Sequence, residues 1–450
     1  MSSGTSVGNS SILLPTSLDR DCDQDGPVPL SSALSYSLED LGHILGGTGR
    51  AQACWDCFRI GVDPIWLWNP NRLESEEDGD DEREVGIGID DCGSVDEKDD
   101  VLTGWTRRQL YDSKLISQLR QENGLGPRTV DLLKERFGSI ESTVASISKI
   151  STSPDGTTKL LLNLHQDGLE IETVIIPWSD RKTSTLCVSS QVGCKQGCTF
   201  CSTGRMGKLR SLSSDEILAQ LYWANKICRL RSGTLYTIQN IVFMGMGEPA
   251  DNSGAVVAAA QRMMDPKQFQ LANRRVTIST VAPTPESFHQ LVGDTNAVLA
   301  WSVHATRDDL RKKLVPTTKH SMEELRDALS LVLLGRSRRQ RNIMFEITLL
   351  DQINDSVEDA LHLVAFCQPL LNKAKAKLIV NLIPWNDIGA SFGPASSFRS
   401  PDPARVAAFQ KVVNDSGILC YVRTTRGDED DAACGMLATS SKKKSGSRSC

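Results

Sequence analysis

Three cysteines in one short run, Cys194, Cys198 and Cys201, have the type and spacing that most directly indicate chemistry in this chain. Closely spaced cysteine thiolates are the usual ligands of iron–sulfur clusters. Three thiolates hold three of the irons of a cubane cluster and leave one iron free to bind a substrate or cofactor. We therefore interpret the run as an open, reactive iron–sulfur site. Zinc sites follow the same rule, since catalytic sites keep an open coordination position and structural sites do not.

Zinc binding and disulfide formation are the two alternatives for these cysteines. A structural zinc site needs a fourth ligand nearby, but the next cysteine is Cys228 and the next histidine is His289. Disulfides are rare in reducing compartments, and the chain has an odd number of cysteines, 13, with no segment at its start that resembles a secretory signal. Zinc is thus the less favoured alternative, and a disulfide framework is less favoured still.

Composition indicates a globular chain with a hidden positive charge. Its 450 residues, 39% of them hydrophobic, suffice for one large catalytic domain and a smaller accessory one. No stretch approaches the roughly 20 apolar residues that span a bilayer, so we expect no membrane association. The net charge is −6, but residues 74–100 carry 14 acidic and 2 basic residues, and residues 101–450 alone carry +10. Clustered basic residues favour a nucleic-acid partner, although each cluster alone is more typical of a solvated face.

Shifts in composition divide the chain into six segments. Residues 1–30 are rich in Ser, Asp and Pro and are predicted to be disordered. A helical accessory unit is predicted over 31–73, an acidic linker over 74–100, a continuation of the helical unit over 101–155, the catalytic domain over 156–438 and a basic disordered tail over 439–450. Cys54 and Cys57 form a C-x-x-C pair in the helical unit, and we interpret them first as buried core residues.

From residue 156 onward, apolar runs alternate with helical stretches, which predicts βαβ units and a parallel sheet. Helix starts with reciprocal Ser and Glu caps are predicted at Ser213 with Glu216 and at Ser321 with Glu324. The predicted strands are Lys159–Leu164, Glu170–Ile176, Ser184–Ser189, Thr237–Met244, Arg275–Thr280, Ala297–His304, Ile343–Leu350, Leu378–Ile383 and Ile418–Arg423.

The candidate site residues follow the ends of these strands. Because parallel sheets place their chemistry at the carboxyl ends of the strands, we expect one large site at the mouth of a partial barrel. Its expected members are the cysteine run, the loop Gly245–Pro249, Ser279, Ser302 with His304, and Asn386.

At these residues the chain resembles the radical S-adenosylmethionine (SAM) superfamily and, more narrowly, the RlmN/Cfr family of adenosine methyltransferases, with the RlmN type the nearer. The resemblance covers roughly residues 156–438 and rests on motifs in family order. These are Thr185-Leu-Cys-Val-Ser-Ser-Gln-Val-Gly-Cys194, the cysteine run, Met244-Gly-Met-Gly-Glu-Pro249, Arg275-Val-Thr-Ile-Ser-Thr280, Asn381-Leu-Ile-Pro-Trp-Asn386 and Thr425-Arg-Gly-Asp-Glu-Asp-Asp-Ala-Ala-Cys-Gly435.

The resemblance implies a fold, two cofactors and their ligands. The fold is an α/β partial (β/α)6-type radical SAM barrel with a small helical N-terminal domain. Cys194, Cys198 and Cys201 match the family's ligands of a [4Fe–4S] cluster, whose open iron binds S-adenosylmethionine. The residues that match its remaining contacts to S-adenosylmethionine are Gly247, Glu248, Ser279, Ser302, Val303, His304 and Asn386.

The resemblance also implies a reaction in which a protein thiol carries the methyl group to C2 of adenosine. Cys434 matches the methyl-carrying cysteine, Cys187 matches the thiol that resolves the covalent adduct through a transient disulfide with Cys434, and Glu172 in Ile171-Glu-Thr-Val174 matches the proton acceptor. Two molecules of S-adenosylmethionine are used per turnover. Spacing alone indicates none of these three roles.

Partners and alternatives follow from the same resemblance. We expect ribosomal or transfer RNA as substrate, a flavodoxin or ferredoxin with its reductase as electron donor, and a monomeric enzyme in the cytoplasm, with a plastid or mitochondrion as the alternative location. Methylation at C8 of adenosine shares the cluster and both thiols and stays open. An iron–sulfur RNA-binding protein without catalysis is the third hypothesis, and it predicts the loss of a catalytic residue.

Overall fold

A computed structural model of the chain describes residues 32–68, 118–119, 125–293, 295–424, 426–427 and 432–437. The predicted disordered N-terminus at 1–30, the acidic linker at 74–100 and the basic tail at 439–450 lie outside the described residues. So do most of residues 101–124. The catalytic region and the first helical unit are described almost throughout.

A ten-stranded mixed sheet forms the centre of the described structure, and its strand order is β1-β2-β3-β4-β7-β8-β9-β10-β11-β12. Strands β1 to β4 pair antiparallel, and β4 and β7 to β12 pair parallel. The strands are β1 Ala145–Thr152, β2 Thr158–Leu164, β3 Glu170–Trp178, β4 Thr183–Cys187, β5 Gln191–Cys194, β6 Gly207–Ser211, β7 Ile238–Phe243, β8 Val276–Thr280, β9 Val298–Ser302, β10 Asn342–Leu349, β11 Lys377–Pro384 and β12 Leu419–Val422.

Helices connect and cover the parallel strands, which confirms the α/β class. Both predicted capping boxes are present, at Ser213 with Glu216 and at Ser321 with Glu324. None of the described helices is both long and apolar enough to cross a membrane. Among the described residues, the α-helices of four residues or more span Leu38–Leu45, Thr48–Arg59, Pro127–Arg136, Ile140–Thr143, Ser202–Met206, Ser214–Leu230, Ser253–Met264, Ser287–Val292, Asp308–Leu314, Met322–Gly335, Val357–Asn372 and Pro403–Asp415.

The core lies between the sheet and these helices. All five residues of β8 are buried, as expected for a parallel strand whose two faces are both covered. Beside it, Trp301 of β9 meets Phe288 and Phe345 edge-on, with ring centroids 5.2 and 5.4 Å apart. The nine predicted strands are confirmed, with ends that shift by one or two residues. The prediction of a parallel sheet from residue 156 onward is wrong for β2 to β4, which pair antiparallel, because the short connections between them leave no room for a crossover.

Two strand segments differ from the prediction. The expectation that the helical unit continues to residue 155 is wrong at its end, because Ala145–Thr152 forms β1. A bulge between Ile147 and Lys149 breaks the alternation of this strand, so its buried residues Ala145, Ile147 and Ile150 do not keep the spacing of two that predicts a strand. The second unexpected element is the hairpin of β5 and β6, which flanks the cysteine run.

The N-terminal helical unit packs directly on the main domain. Trp55 meets Phe269 edge-on at 5.6 Å, and the buried Asp63 carboxylate accepts the backbone N–H of Ile140 at 2.8 Å. Cys54 and Cys57 are both fully buried in this contact. Burial raises the pKa of the Cys54 thiol well above its usual value, which fits an inert core residue better than a redox pair.

Gly61 allows the closest approach between the two parts. Its φ is +70°, and a Cβ at this position would lie 2.3 Å from the backbone nitrogen of Lys226. We predict that Gly61→Ala lowers the free energy of unfolding by about 2–4 kcal/mol, from overpacking and an unfavourable φ. Gly49→Ala is the control, since its Cβ meets nothing within 4 Å. Urea unfolding would measure both, and equal midpoints would contradict the packing described.

Candidate active site

One cavity lies at the carboxyl ends of the parallel strands and collects most of the predicted site residues. It is lined by residues from the cysteine run, from the loops after β7, β8, β9 and β11, and from the C-terminal segment 432–437. The strand-end rule therefore identified the correct rim. Predicted residues that line the cavity are Cys194, Cys198, Cys201, Gly247, Glu248, Ser279, Ser302, His304, Asn386 and Cys434.

The cysteine run is a loop that buried polar contacts hold in place. Gln196 within it donates to the Asp251 carboxylate at 2.6 Å, and the Phe200 carbonyl accepts the indole N–H of Trp385 at 3.0 Å. The following helix passes so close that a Cβ on Gly204 would lie 2.9 Å from the Cys198 nitrogen. These contacts set the direction of the loop without using any of its thiols.

All three thiols of the run face the same cavity. Burial raises the pKa of Cys194 to about 12 and raises that of Cys198 well above the usual value; the neighbouring thiol Cys201 adds to both shifts. Each thiol must lose its proton to bind a metal, and the free energy of metal binding drives this deprotonation. Among the described residues, no three His, Cys, Asp or Glu side chains converge on one point as ligands of a single metal ion do. A cubane binds each thiolate to a different iron, and the donor set fits that group.

The loop after β7 approaches the β4–β5 segment through two glycines. A Cβ on Gly245 would lie 2.8 Å from the Val188 backbone, and one on Gly247, whose φ is +102°, would lie 2.6 Å from Gln191. Glu248 then enters the cavity wall, where its carboxylate accepts the N–H groups of Val281 and Ala250, each at 2.9 Å. Burial raises the pKa of Glu248 to about 7. The loop is thus a rigid wall with one carboxylate in it.

Polar groups at the ends of β8 and β9 continue this wall. The hydroxyls of Ser279 and Ser302 lie 3.1 Å apart. His304 has a φ of +52°, which is unfavourable for a residue other than glycine. Its Nδ1 accepts the Thr348 N–H at 3.1 Å, so Nε2 carries the ring proton. Burial lowers the pKa of His304 well below its usual value, and the neutral ring is therefore a hydrogen-bond donor.

Arg311 links the ends of β8 and β9 through hydrogen bonds to their backbone carbonyls. Its guanidinium donates to the carbonyls of Ser302, Val303 and Val281 at 2.8, 2.7 and 2.6 Å. Burial lowers its pKa to about 10, so it stays charged at neutral pH. The sequence favours a solvated or nucleic-acid-binding face for the basic run Arg311 to Lys313; for Arg311 this is wrong, because the side chain is fully buried.

Cys434 reaches the cavity because the C-terminal segment docks beside the cysteine run. The backbone N–H of Ser202 donates to the Gly435 carbonyl at 2.8 Å, and the Thr203 hydroxyl donates to the Leu437 carbonyl. Asn386 donates to the Cys434 carbonyl at 3.1 Å. The Cys434 side chain is accessible from the cavity, yet the surrounding protein raises the pKa of its thiol.

Cys187 at the end of β4 lies within electrostatic range of Cys434. Burial and the nearby Cys434 together raise the pKa of Cys187 to about 12, although the Arg423 guanidinium lowers it. Arg423 acts on the pKa of Cys434 in the same direction. The two sulfurs are free thiols in the structure and not a disulfide.

Two charged residues of the site, Glu346 and Arg423, escape prediction from the sequence. Glu346 of β10 lines the cavity and is buried. One of its oxygens accepts from Asn381 at 2.8 Å, and the other lies 3.7 Å from Arg423 Nη1. Glu346 lies in the second half of β10 and Arg423 directly follows β12. A position near the carboxyl end of a strand was the one signal in the sequence that could have identified them.

Three predicted site residues, Cys187 among them, do not line the cavity. Val303 is fully buried, and its carbonyl accepts from Arg311. Glu172 of β3 forms an ion pair with Lys159 at 3.0 Å. It lies on the same face of the sheet as Cys187, because Val174, two residues along β3, stands directly opposite Cys187.

Comparisons with known proteins agree with this geometry. Residues 188–364 match the model of the Radical SAM superfamily. Two curated relatives, each described as dual-specificity RNA methyltransferase RlmN, come from Francisella tularensis subsp. mediasiatica and subsp. novicida; each is 39% identical over 316 residues, which are 70% of this chain and 80% of the relative. The crystal structure of a radical SAM methyltransferase from Sphaerobacter thermophilus superposes with a TM-score of 0.62 and 28% identity, covering 90% of this chain and 98% of that one.

The three carbonyls bound by Arg311 lead to a stability prediction. Arg311→Met leaves them buried without donors, and we expect the free energy of unfolding to fall by about 3–5 kcal/mol. Lys312→Met, the exposed neighbour on the same helix, should change it by no more than about 0.5 kcal/mol. Chemical denaturation measures both variants. Equal losses would show that Arg311 does not hold the strand ends together.

Proposed function

Because the chain belongs to the radical SAM superfamily and, within it, to the RlmN family of RNA methyltransferases, we propose that it methylates C2 of adenosine in ribosomal or transfer RNA through a methylated Cys434. The two relatives from Francisella tularensis are described as RNA methyltransferases of dual specificity. The observation that carries the proposal is the presence of Cys434 in the same cavity as the three clustered thiols.

The cavity residues have the chemistry to hold both cofactors. Cys194, Cys198 and Cys201 would ligate a [4Fe–4S] cluster through thiolates. Glu248 offers a carboxylate to an ammonium group, and the neutral His304 and the hydroxyls of Ser279 and Ser302 offer hydrogen bonds to the rest of S-adenosylmethionine. When bound, the cluster and S-adenosylmethionine together supply one-electron cleavage of the sulfonium and methyl transfer.

Cys434 is suited to carry a methyl group. It is the exposed cysteine among those that the structure describes, and its backbone is fixed by Asn386. The nearby Arg423 guanidinium partly offsets the effect of burial on the pKa of Cys434. A positive charge near the sulfur favours the thiolate, which is the nucleophilic form that accepts a methyl group.

Cys187 is the thiol that we propose releases the product. The bound cofactors would supply a radical that takes a hydrogen atom from the S-methyl group of Cys434, and would take back one electron after its carbon has bonded to C2. Loss of the C2 proton to Glu172 then leaves a methylene group between Cys434 and the base. In the release step the Cys187 thiolate attacks the Cys434 sulfur, and the bond from that sulfur to the methylene carbon breaks. The electron pair of the broken bond goes to the carbon, which takes up a proton and remains on the base as a methyl group. The two cysteines are left as a disulfide, which an external thiol reduces. The Arg423 guanidinium interacts electrostatically with both thiols, and its positive charge favours the anionic form of either.

Glu172 remains our proposed acceptor for the C2 proton. It lies on the Cys187 face of the sheet and is buried. In the structure the Glu172 carboxylate forms an ion pair with Lys159. An adenine bound in the cavity must therefore draw Glu172 away from Lys159.

RNA is the expected substrate also because residues 101–450 carry a net charge of +10. A flavodoxin- or ferredoxin-type protein is the proposed electron donor.

Anaerobic reconstitution with iron and sulfide tests the cluster. We expect about four irons per chain and a broad brown absorbance, as a cubane requires. Replacing Cys194, Cys198 and Cys201 together with Ala should abolish iron binding, whereas Cys228→Ala, a buried thiol of the helix Ser214–Leu230, should retain it. Stoichiometric zinc without iron in the wild type would refute the assignment.

Replacing the two reactive thiols separately tests their roles. Cys187→Ala should accumulate a covalent protein–RNA adduct, because the methylene bridge forms but cannot be resolved. Cys434→Ala should give neither adduct nor methylated RNA. Cys367→Ala, a buried thiol of the helix Val357–Asn372, is the control and should turn over normally.

Denaturing gels detect the adduct, and mass spectrometry of the hydrolysed RNA identifies the product. Absence of an adduct in Cys187→Ala would count against the roles given to the two thiols. A product methylated at C8 and not at C2 would show the alternative activity and refute C2 methylation.

A further inference from the structure

One aromatic side chain in the segment that follows Asn386 is left in solvent. Phe392 is 75% exposed, the largest exposed fraction among the large hydrophobic residues that the structure describes. A single exposed apolar side chain is common on protein surfaces, and Leu331 is nearly as exposed, at 71%. What sets Phe392 apart is its surroundings.

The segment around Phe392 is itself well anchored. Trp385 and Phe398 of the same segment are buried and meet edge-on at 6.0 Å, and Trp385 is also bonded to the cysteine run through Phe200. Between them, Gly389 and Gly393 adopt φ values of +62° and +76°, which turn the chain outward. The segment thus buries two of its aromatic rings and presents the third.

The ring is paired with a cation of the neighbouring loop. The Arg205 guanidinium lies 4.8 Å from the Phe392 ring centroid, within the range of a cation–π contact. Arg205 and the nearby Lys208 are both exposed, and neither forms an ion pair with the residues that the structure describes. A flat ring with an exposed cation against it offers one surface for a base and another for phosphates.

The pair lies close to the reactive thiols along the chain. Arg205 follows the cluster residue Cys201 by four positions, on the helix whose first residue binds Gly435. Phe392 follows Asn386 by six positions, and Asn386 binds the Cys434 carbonyl. The two elements that carry the Phe392–Arg205 pair are thus the two that hold Cys434 in the cavity.

We propose that Phe392 and Arg205 form a stacking platform for a nucleotide that flanks the target adenosine in single-stranded RNA. The proposal rests on the proposed function, since it presumes an RNA substrate at this cavity. A target base must leave its helix to reach an enclosed site, and a neighbouring base that stacks on an exposed ring keeps the displaced strand in place. Phe392 is a positioning residue that touches RNA outside the reacting base.

RNA binding by the holoenzyme tests the platform. The probe is a fluorescein-labelled RNA hairpin with adenosines in its loop, measured by anisotropy. Phe392→Leu keeps an apolar side chain but removes the stacking face, and we expect about 10-fold weaker binding, from the range known for base–aromatic stacking. Phe392→Trp should restore affinity. Leu331→Ala is the matched control, because Leu331 is 71% exposed on a helix that contributes no residue to the cavity lining.

Three further readouts separate positioning from misfolding. The unfolding midpoint of Phe392→Leu should equal that of the wild type. The salt dependence of RNA binding should also be the same in Phe392→Leu as in the wild type, because stacking releases no counterions. In turnover with the same hairpin, KM should rise about 10-fold while kcat stays constant, since the reacting groups are intact.

Equal RNA affinity of Phe392→Leu and wild type would overturn the proposal, and so would an equal loss in Leu331→Ala. If Phe392→Leu slowed electron transfer from the donor protein while RNA binding stayed intact, the ring would be a protein-docking residue and the proposal would again fail. These failures leave the proposed function standing whenever the wild type methylates RNA. A wild type that methylates no RNA overturns both.

Discussion

The docking of residues 432–437 beside the cysteine run is the contact on which the rest of the site depends. Two hydrogen bonds, from Ser202 to Gly435 and from Thr203 to Leu437, join the C-terminal segment to the helix that begins directly after Cys201. Together with the hydrogen bond from Asn386 to the Cys434 carbonyl, they fix Cys434 relative to the three thiols. With them, a cysteine more than 230 residues from the cluster run faces the same cavity.

Buried side chains hold the loops of the rim in place. Loops at the ends of strands cannot satisfy their backbone groups in a sheet ladder, so their buried N–H and C=O groups need other partners. Arg311 satisfies three carbonyls, Glu248 satisfies two N–H groups, and Asn354 pairs with the carbonyls of His304 and Thr348 and with the N–H of Leu350. None of these contacts uses a cysteine, and the thiols stay available for chemistry.

The sequence predicted the strands and the rim because both depend on local patterns. Apolar runs fix the strands, and the direction of parallel strands then fixes which loops share an edge.

Prediction from the sequence failed where a long-range contact decides the position of a side chain. Nothing in the run Arg311 to Lys313 distinguishes a buried arginine from two exposed lysines, and nothing near Glu346 or Arg423 indicates that they meet. The bulge in β1 interrupted the alternation of buried and exposed residues that predicts a strand. Cys187 and Cys434 were found through family resemblance, and the structure then brought them into electrostatic range.

The chemistry of the site therefore centres on one sulfur atom. Its most direct test is tandem mass spectrometry of the peptide that contains Cys434, from reconstituted enzyme incubated with S-adenosylmethionine that carries a deuterated methyl group. We predict one labelled methyl group on Cys434, and transfer of carbon from that group to RNA in a chase with unlabelled S-adenosylmethionine. Methylated RNA produced while Cys434 stays unmodified, or a label on another residue, would contradict the role of this thiol.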